Sequence, residues 1–449
     1  MSWPRAYADG GPWGGPDAMK LTRLHVHHYR GLAPDTVLTF GPTLNVVVGA
    51  TGSGRTTLLE LVSAVLCSDF SGLLREPFAL DYALRFDALT VDVAVRNEPP
   101  AALPATVGEG GPTGPGAALA LPPGALAHGL MPSIVATVRW DAAEDARLVM
   151  RASATGFACE VAGAAGFSKR MHWSVLDRSV WTLLFMAAQY LERGVKDRLK
   201  DLLRETFLLA PPRFDESLGM FERIGAIRYA MEQRGEELFP LGLMALPTWM
   251  PGWLREQVEH EPVPPALLLR HDAVPRSFLA RFVTLAGFAS GTLSVDVTET
   301  TPLSQGGRLG FSGFRFAFVR ADGTPVTQEQ LGHGQKRLLS FLYYLDVHEA
   351  FVIADELADG LHPDLVRACV HDVGGRQAFV TSQSPLLFEH LTFANAEQLR
   401  TSLIRCETGA GQGGWRWTQP TPEEAARWFD AYRAGSVPLG AVLRAQGFG

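Results

Sequence analysis

The chain has 449 residues, of which 47% are hydrophobic and 19% are charged, and its net charge is −7. This composition supplies enough apolar surface for packed cores and excludes general disorder, and it lacks the whole-chain basic footprint typical of nucleic-acid-binding proteins, although a local basic groove stays compatible with it. Four scattered cysteines, no apolar stretch long enough to span a bilayer and no signal-peptide pattern predict a cytoplasmic protein without membrane contact.

The first folded segment is expected to begin near Met19. Residues 1–18 are rich in Gly, Pro and Asp, and they predict a disordered extension. Three strand-like runs follow, LTRLHVHHY, TVLTF and LNVVVG, separated by Gly and Pro. A helix is predicted from Arg55 to about Cys67, because its leucines and valines recur at helical spacing.

The stretch GATGSGRTTLL between the third strand and the helix fits the phosphate-loop pattern G-x-x-x-x-G-K-[ST], except that Arg55 replaces Lys. Glycines allow backbone amides to turn towards phosphate oxygens, the helix start adds a positive end, and Thr56 offers a hydroxyl to Mg²⁺. The predicted nucleotide-binding residues of this loop are Gly49, Ala50, Thr51, Gly52, Ser53, Gly54, Arg55, Thr56 and Thr57. Arg55 keeps the positive charge, but its planar guanidinium needs more room than an ammonium group, so we expect nucleotide binding with slow hydrolysis.

The middle of the chain changes character several times. Residues 98–132 are rich in Pro, Gly and Ala and predict a flexible loop, and residues 133–172 predict further strands. From 173 to 290 the pattern predicts a mainly helical insertion, in which the apolar residues of GVKDRLKDLLRETF share one face. Strand patterns return in TLSVDVTET and RLGFSGFRFAFVRADG.

A second motif, AFVIADELADGLHP, is an apolar strand that ends in two carboxylates. Side chains at the carboxyl end of a strand lie where ligands bind in α/β sheets. Asp355 is therefore expected to hold Mg²⁺, and Glu356 to orient and deprotonate the attacking water. Adjacent acidic residues after a strand are common, so this motif gains its weight from the phosphate loop in the same chain.

Two shorter motifs complete the set. Gly332, His333 and Gly334 open a helix in LGHGQKRLLSFLYYL and form a second candidate anion-binding turn, although an ordinary helix cap has the same pattern. In QAFVTSQSP a short strand precedes Gln383, whose amide could hydrogen-bond the γ-phosphate or the attacking water.

In this order the four motifs resemble the ABC-type ATPase head of the SMC, RecF and RecN group. LHVHHYRGLAPDTVLTFGPTLNVVVGATGSGRTTLL is similar to the opening of that group, LGHGQKR to its signature motif, DELADGLHP to its acidic segment and TSQSP to its switch segment. The C-terminal WFDAYRAGSVPLGAVLRAQGFG resembles the tail of small ATP-binding proteins, including ATPases of bacterial defence systems such as Septu. The likeness covers residues 19–95 and 325–449, under half of the chain.

The resemblance implies an α/β fold, an ABC-type P-loop ATPase head built from residues 19–97, 133–172 and 291–449. It also implies a homodimer of heads, or a higher even oligomer, with ATP and Mg²⁺ between subunits and the Gly332–Gly334 turn acting on the partner's nucleotide. The chain departs from the family at Gly332, His333 and Gln383, where that group has Ser, Gly and His, and the Gln-bearing loop after the first helix is not identifiable. Together with Arg55, these departures favour a slow switch over a motor.

Two classes of function stay in competition. The first is an ATPase that gates a partner effector or nucleic acid in anti-phage defence, with a separate nuclease as effector because no nuclease motif follows the ATPase motifs. The second is a hydrolysis-deficient, nucleotide-bound scaffold. A RecF- or RecN-like ATPase of DNA maintenance is a further alternative, and a transporter ATPase is disfavoured by the LHP segment and the insertion.

Three histidines near the start invite a metal-site interpretation. In a strand, His25 and His27 share one face and His28 points away. No carboxylate or cysteine at a ligand spacing accompanies them, so the sequence predicts no metal site here.

Overall fold

The structure is a computed structural model of the chain. It describes residues 19–86, 89–99, 129–141, 147–154, 156–170, 175–188, 190–191, 193, 213–214, 228–234, 237–240, 264–275, 277–300, 308–348, 351–382, 386–409, 414–434 and 440–441. Three sheets and the helices packed on them make up these residues, and the α/β class expected from the sequence is confirmed.

The five-stranded sheet is mainly parallel, in the order β16-β17-β3-β18-β19. Its strands are β3 (Leu44–Val48), β16 (Phe351–Ala354), β17 (Gln377–Thr381), β18 (Leu403–Thr408) and the antiparallel edge strand β19 (Trp415–Thr418). β16 and β17 are buried along their whole length, as expected for strands covered on both faces. The strand that leads into the phosphate loop therefore lies in the middle of this sheet.

The eight-stranded sheet is antiparallel, in the order β2-β1-β4-β5-β6-β7-β8-β9. Its strands are β1 (Lys20–Tyr29), β2 (Thr36–Thr39), β4 (Phe78–Arg85), β5 (Leu89–Glu98), β6 (Met131–Trp140), β7 (Arg147–Ser153), β8 (Gly156–Val161) and β9 (Ala164–Lys169). Buried and partly exposed residues alternate along β5, so one face of this sheet packs on a core and the other is open to solvent.

The six-stranded sheet follows the path β11-β10-β14-β13-β12, and β15 pairs with β14. Its strands are β10 (Arg228–Arg234), β11 (Glu237–Pro240), β12 (Ala266–Arg270), β13 (Ser290–Thr300), β14 (Arg308–Val319) and β15 (Pro325–Thr327). The helices are α1 (Arg55–Cys67), α2 (Val180–Ala188), α3 (Phe278–Ala286), α4 (His333–Val347), α5 (Pro363–Val373), α6 (Leu386–Glu389), α7 (Ala396–Ser402) and α8 (Pro422–Arg433). None of the helices that the structure describes is long and apolar enough to cross a membrane.

Two hydrophobic cores lie on opposite faces of the five-stranded sheet. Along β3, Val47 belongs to one core, which also holds α1, α2 and the inner face of the eight-stranded sheet. Val46 and Val48 belong to the other, which holds α3, α4, α5 and the inner face of the six-stranded sheet. Because successive residues of a strand point to opposite faces, three valines in a row anchor the loop strand in both cores.

Several sequence predictions are confirmed by these elements. The three strands before the phosphate loop, the helix Arg55–Cys67, the strands within 133–172 and the strands after 290 are all present. The predicted loop 98–132 lies mostly outside the described residues, although β5 reaches Glu98 and β6 begins at Met131. The predicted extension 1–18 and the helix in GVKDRLKDLLRETF also lie outside them.

The described residues of segment 173–290, predicted as a mainly helical insertion, include strands as well as helices. They form α2 and α3 but also the strands β10, β11 and β12, and the bounds of the insertion stay a prediction. In β12, exposed and buried residues alternate along ALLLR, and Leu267 and Leu269 enter a core while Leu268 faces solvent. A run of consecutive leucines has no clear hydrophobic period, so the sequence pattern does not distinguish a strand from a helix here. Pairing with β13 makes this segment a strand.

The structure predicts a pH-dependent stability that arises at His348, the residue after α4. Its side chain is buried, and burial, followed by the positive charge of Arg376, lowers the pKa of this imidazole to about 3. The unfolded chain takes up this proton below about pH 6.5. The folded chain does not, so its free energy of unfolding falls as the pH drops from that value towards the folded pKa. One such group contributes a slope of about 1.4 kcal/mol per pH unit.

Urea unfolding at pH 7 and pH 5 measures this slope. His348→Gln removes the titrating group, so the difference between the two pH values should shrink by the contribution of one histidine. His371→Gln, at an exposed position of α5, is the matched control and should keep the wild-type slope. An unchanged slope in His348→Gln would contradict the assignment.

Candidate functional site

The phosphate loop connects the buried end of β3 to the first turn of α1. Gly52 and Gly54 adopt φ angles of 81° and 87°, a region that side chains with a Cβ rarely enter, so the turn depends on glycine there. Gly54 is the N-cap of α1, and no side chain caps this helix end. The first amides of α1 are thus available to an anion, which is how helix starts bind phosphate.

The last two strands of the five-stranded sheet hold the loop from one side. A Cβ on Gly49 would lie 2.2 Å from the backbone oxygen of Cys406 in β18, so only glycine fits at the loop start. The indole Nε1 of Trp415 in β19 donates a 3.2 Å hydrogen bond to the oxygen of Gly52, and its ring lies against Gly54. The loop conformation is therefore fixed by strands that come about 350 residues later in the chain.

Asp355, after β16, meets the start of α1 and the end of β17. The hydroxyl of Thr56 donates a 2.8 Å hydrogen bond to Asp355 Oδ2, and that of Thr381 donates a 2.5 Å bond to Asp355 Oδ1. Thr381 Oγ1 also accepts a 2.7 Å bond from the amide of Glu356. The phosphate loop and the acidic segment, 299 positions apart for Thr56 and Asp355, thus frame one site.

Glu356 faces the residue that distinguishes this loop from the usual pattern. Glu356 has φ of 50°, a strained value for a residue with a Cβ. Its Oε1 lies 3.0 Å from Nη1 of Arg55, whose side chain is 8% exposed against 24% for Glu356. The N–H of Arg55 Nη1 is not directed at an acceptor, although the distance suits an ion pair. We regard the contact as an ion pair without an aligned hydrogen bond.

A buried arginine supports the acidic segment from below. Arg337 in α4 is 1% exposed, and its Nη2 donates to the backbone oxygens of Asp355, at 3.1 Å, and of Glu356. Tyr344, two turns further along the same helix, accepts a 3.0 Å hydrogen bond from the amide of Ile353 in β16. Burial raises the pKa of the Tyr344 phenol above its ordinary value, so it stays neutral in the core. These two side chains of α4 fix where β16 ends.

The Gly332–Gly334 turn lies against the segment after the acidic strand. A Cβ on Gly334 would lie 2.6 Å from the oxygen of Gly360, and one on Gly360 would lie 2.6 Å from the His333 ring. The side chain of His333 is 67% exposed, and its Nε2 lies 4.0 Å from Asp359 Oδ2. The described contacts of this turn are therefore with residues 359–360, and its histidine faces solvent.

Two observations test whether ATP and Mg²⁺ suit this site. Ser53 Oγ, in the loop, is buried and has no hydrogen-bond partner among the described residues, as expected for a hydroxyl that would donate to a phosphate oxygen. Thr56 Oγ1 and Asp355 Oδ2 are 2.8 Å apart. Neighbouring oxygens around Mg²⁺ are about 2.9 Å apart, since the bonds are about 2.0–2.1 Å long. The residues present fit a phosphate group and a magnesium ion.

The sequence does not predict a role in this site for Thr381, Arg337 or Trp415. The predicted site residue Gln383 lies outside the described residues, two positions after β17 ends at Thr381. Arg337 had a signal, because a charged residue shares the helix face of Gly334 and Phe341 in an otherwise apolar stripe.

No family model matches the chain. A stretch of 44 residues, 10% of this chain, is 50% identical to the DNA replication and repair protein RecF of Psychromonas ingrahamii and covers 12% of that protein's length.

Among solved structures, the chain is similar to the SMC head domain from Thermotoga maritima, with 11% identity, 90% of this chain and 99% of that chain covered, and a TM-score of 0.33. It is also similar to the Smc head domain with an extended coiled coil bound to the C-terminal domain of ScpA derived from Pyrococcus furiosus, with 10% identity, 92% and 100% covered, and a TM-score of 0.36. Superposition at this level is loose, so the site geometry carries the functional argument.

Proposed function

We propose that this chain is a magnesium-dependent, ATP-binding ATPase head of the SMC and RecF kind, which turns over slowly and acts as a nucleotide switch. The observation that carries the proposal is the hydrogen bond from Thr56 to Asp355, since it joins the phosphate loop to the acidic strand across 299 positions. Neither motif alone implies nucleotide chemistry, but together they surround the place where a triphosphate and its metal ion would lie.

Each side chain then has a role that follows from its position. The amides of the loop and of the α1 start bind phosphate oxygens, and Ser53 Oγ donates to one of them. Thr56 and Asp355 hold Mg²⁺, which neutralises phosphate charge when it is bound. Glu356 orients a water molecule and accepts its proton at a carboxylate oxygen. Thr381 fixes both acidic residues, one through its carboxylate and the other through its amide.

The ion pair between Arg55 and Glu356 supports slow turnover. A carboxylate held by a guanidinium 3.0 Å away is turned from the water it should orient. Hydrolysis then waits for a change that separates the two side chains, such as phosphate binding or the approach of a second head. If the ion pair never opens, the same contact favours the alternative function, a nucleotide-bound scaffold without turnover.

We extend the proposal to a homodimer whose nucleotides lie between heads. The Gly332–Gly334 turn opens α4 and leaves the side chain of His333 exposed. The amide of Gly332 donates to Gln335 Oε1, whereas the amides of His333 and Gly334 lie in the first turn of the helix, where an anion on another subunit would bind. By the resemblance of its C-terminal tail, the switch controls a separate effector nuclease or nucleic acid in anti-phage defence. A role in DNA maintenance is the alternative, and the short identity with RecF favours it.

Thr56→Ala tests the nucleotide site. The substitution removes one hydroxyl from an exposed position at the start of α1, and this hydroxyl is one of the two proposed magnesium ligands. An interaction with a charged group is worth about 1.5–3 kcal/mol, so ATP affinity in the presence of Mg²⁺ should fall by roughly 10- to 100-fold. Equilibrium binding of a fluorescent ATP analogue, with Mg²⁺ and with EDTA, measures the effect.

Ser63→Ala, about two turns further along the same helix, is the matched control and should bind like wild type. Binding by Thr56→Ala that matches wild type with Mg²⁺ present would remove the basis of the proposal.

A further inference from the structure

The turn between β1 and β2 brings a carboxylate against the two histidines that share a face of β1. The backbone of Asp35 adopts φ of 54°, and its amide donates a 3.1 Å hydrogen bond to the oxygen of His27. This turn points Asp35 Oδ1 at both rings, 3.3 Å from His25 Nε2 and 3.2 Å from His27 Nδ1. The ring centroids of His25 and His27 are 3.9 Å apart.

These separations are those of ligand atoms around a small tetrahedral ion. Zinc binds nitrogen and oxygen at about 2.0–2.2 Å, so two of its ligands lie about 3.3–3.5 Å apart along a tetrahedron edge. The two measured edges from Asp35 Oδ1 are 3.3 and 3.2 Å, and all three ligand atoms lie within 4.8 Å of one another. An ion at the centre would need only small movements of the three side chains, of which Asp35 is the exposed one.

The second nitrogen of His27 has the partner that metal-binding histidines usually have. His27 Nε2 lies 2.8 Å from Asp81 Oδ2, and the other oxygen of Asp81 lies 2.7 Å from Arg96 Nη2. A carboxylate accepts from an imidazole N–H, so Asp81 favours the tautomer with the proton on Nε2, in which Nδ1 is able to bind a metal ion beside Asp35. Asp81 therefore orients the ring as metal binding requires.

The other histidine supplies an unsatisfied atom. His25 Nε2 is buried and makes no hydrogen bond of acceptable geometry among the described residues, although Asp35 Oδ1 is within ion-pair distance. A nitrogen in that position costs free energy unless a proton or a metal ion satisfies it. The side chain of Asp35 is 75% exposed, so the cluster opens to solvent on one side.

We propose that His25 Nε2, His27 Nδ1 and Asp35 Oδ1 form a site for a zinc-class divalent cation, with one coordination position left open to solvent. Two imidazoles and one carboxylate are ligands that select Zn²⁺ over Mg²⁺, which prefers oxygen alone. The site lies in the eight-stranded sheet and shares no residue with the Thr56 and Asp355 site, so it is independent of the proposed function.

Metal titration of the untagged full-length chain tests this site. The protein is stripped with a chelator, and Zn²⁺ binding is measured by competition with a coloured chelator, with Co²⁺ as a spectroscopic probe of tetrahedral nitrogen and oxygen ligation. Wild type should bind one equivalent that His25→Ala and Asp35→Asn lose, together with the visible Co²⁺ absorption. Asp81→Asn should weaken binding by about 10- to 100-fold, because Asp81 positions a ligand without touching the ion.

The controls distinguish loss of metal binding at this site from unfolding and from metal binding by other histidines. Asn tolerates a positive φ about as well as Asp, so Asp35→Asn should keep its turn, and its circular dichroism and melting temperature without metal should match wild type. His28→Ala changes the neighbouring histidine, which contacts Glu98 instead, and should keep the equivalent. Equal stoichiometry in wild type, His25→Ala and Asp35→Asn would overturn the proposal, as would octahedral Co²⁺ spectra.

Discussion

Arg55→Lys is expected to raise the rate of steady-state phosphate release by roughly tenfold, which corresponds to about 1.4 kcal/mol of the barrier. The reason lies in the contact between Arg55 and Glu356 at 3.0 Å. An exposed ion pair contributes about 0–1 kcal/mol, and breaking a buried pair costs about 3–5 kcal/mol. Because the pair of Arg55 and Glu356 is largely but not fully buried, we expect its contribution to lie between these two values. Lys keeps the charge for phosphate but places it on a flexible stem, so Glu356 is released.

The measurement is multiple-turnover phosphate release with saturating ATP and Mg²⁺, since a single-turnover burst could not distinguish a switch from a scaffold. Arg30→Lys is the matched control, because Arg30 is also bound to a carboxylate, Glu76, in a pair outside the site. That variant should leave turnover unchanged. If Arg55→Lys is as slow as wild type, the ion pair does not limit hydrolysis and the scaffold function gains support.

Glu356→Gln is expected to lower single-turnover hydrolysis by about 100-fold or more, the usual contribution of a positioned general base. The amide cannot accept the proton of water, yet it has the same shape, and Thr381 continues to hold the backbone at this position. ATP binding should therefore persist, and in the proposed dimer ATP should be retained longer because hydrolysis no longer separates the heads. Filter binding of labelled ATP and light scattering measure retention and dimerisation.

Glu423→Gln, at an exposed carboxylate in the first turn of α8, is the control and should hydrolyse ATP at the wild-type rate. The double variant Arg55→Lys with Glu356→Gln completes a cycle. If Arg55 acts through Glu356, the gain from Arg55→Lys vanishes in the Gln background, so the two effects are not additive. Hydrolysis by Glu356→Gln at the wild-type rate would transfer the base role to another group.

The elements that could be predicted from the sequence are those specified by local signals. The phosphate loop is bounded by glycines and followed by an unbroken helical period, so α1 was placed at Arg55–Cys67, as observed. The strand FVIA is short, wholly apolar and followed by two acids, so the place of Asp355 at its end was also predictable. Such patterns need no knowledge of what the rest of the chain does.

The remaining features depend on contacts between distant segments. Arg337 meets the backbone of Asp355 and Glu356 only because α4 packs beneath β16, and Trp415 meets Gly52 only because β19 is an edge of the same sheet. Asp35 approaches His25 and His27 because its backbone adopts a positive φ in the turn. Its separation of eight to ten residues from these histidines does not by itself predict the contact. The ion pair of Arg55 with Glu356 likewise depends on how the two motifs are oriented in space, in addition to their being adjacent.

The central position of β3 in the five-stranded sheet has a consequence for biosynthesis. Both hydrogen-bonded neighbours of this strand, β17 and β18, begin more than 330 residues later, at Gln377 and Leu403. At roughly 5–20 residues per second, a ribosome needs about 20–70 seconds to supply them. During that interval the apolar run of β3 has neither of its neighbouring strands to pair with, so the phosphate loop reaches its folded position only after the C-terminal strands have been made.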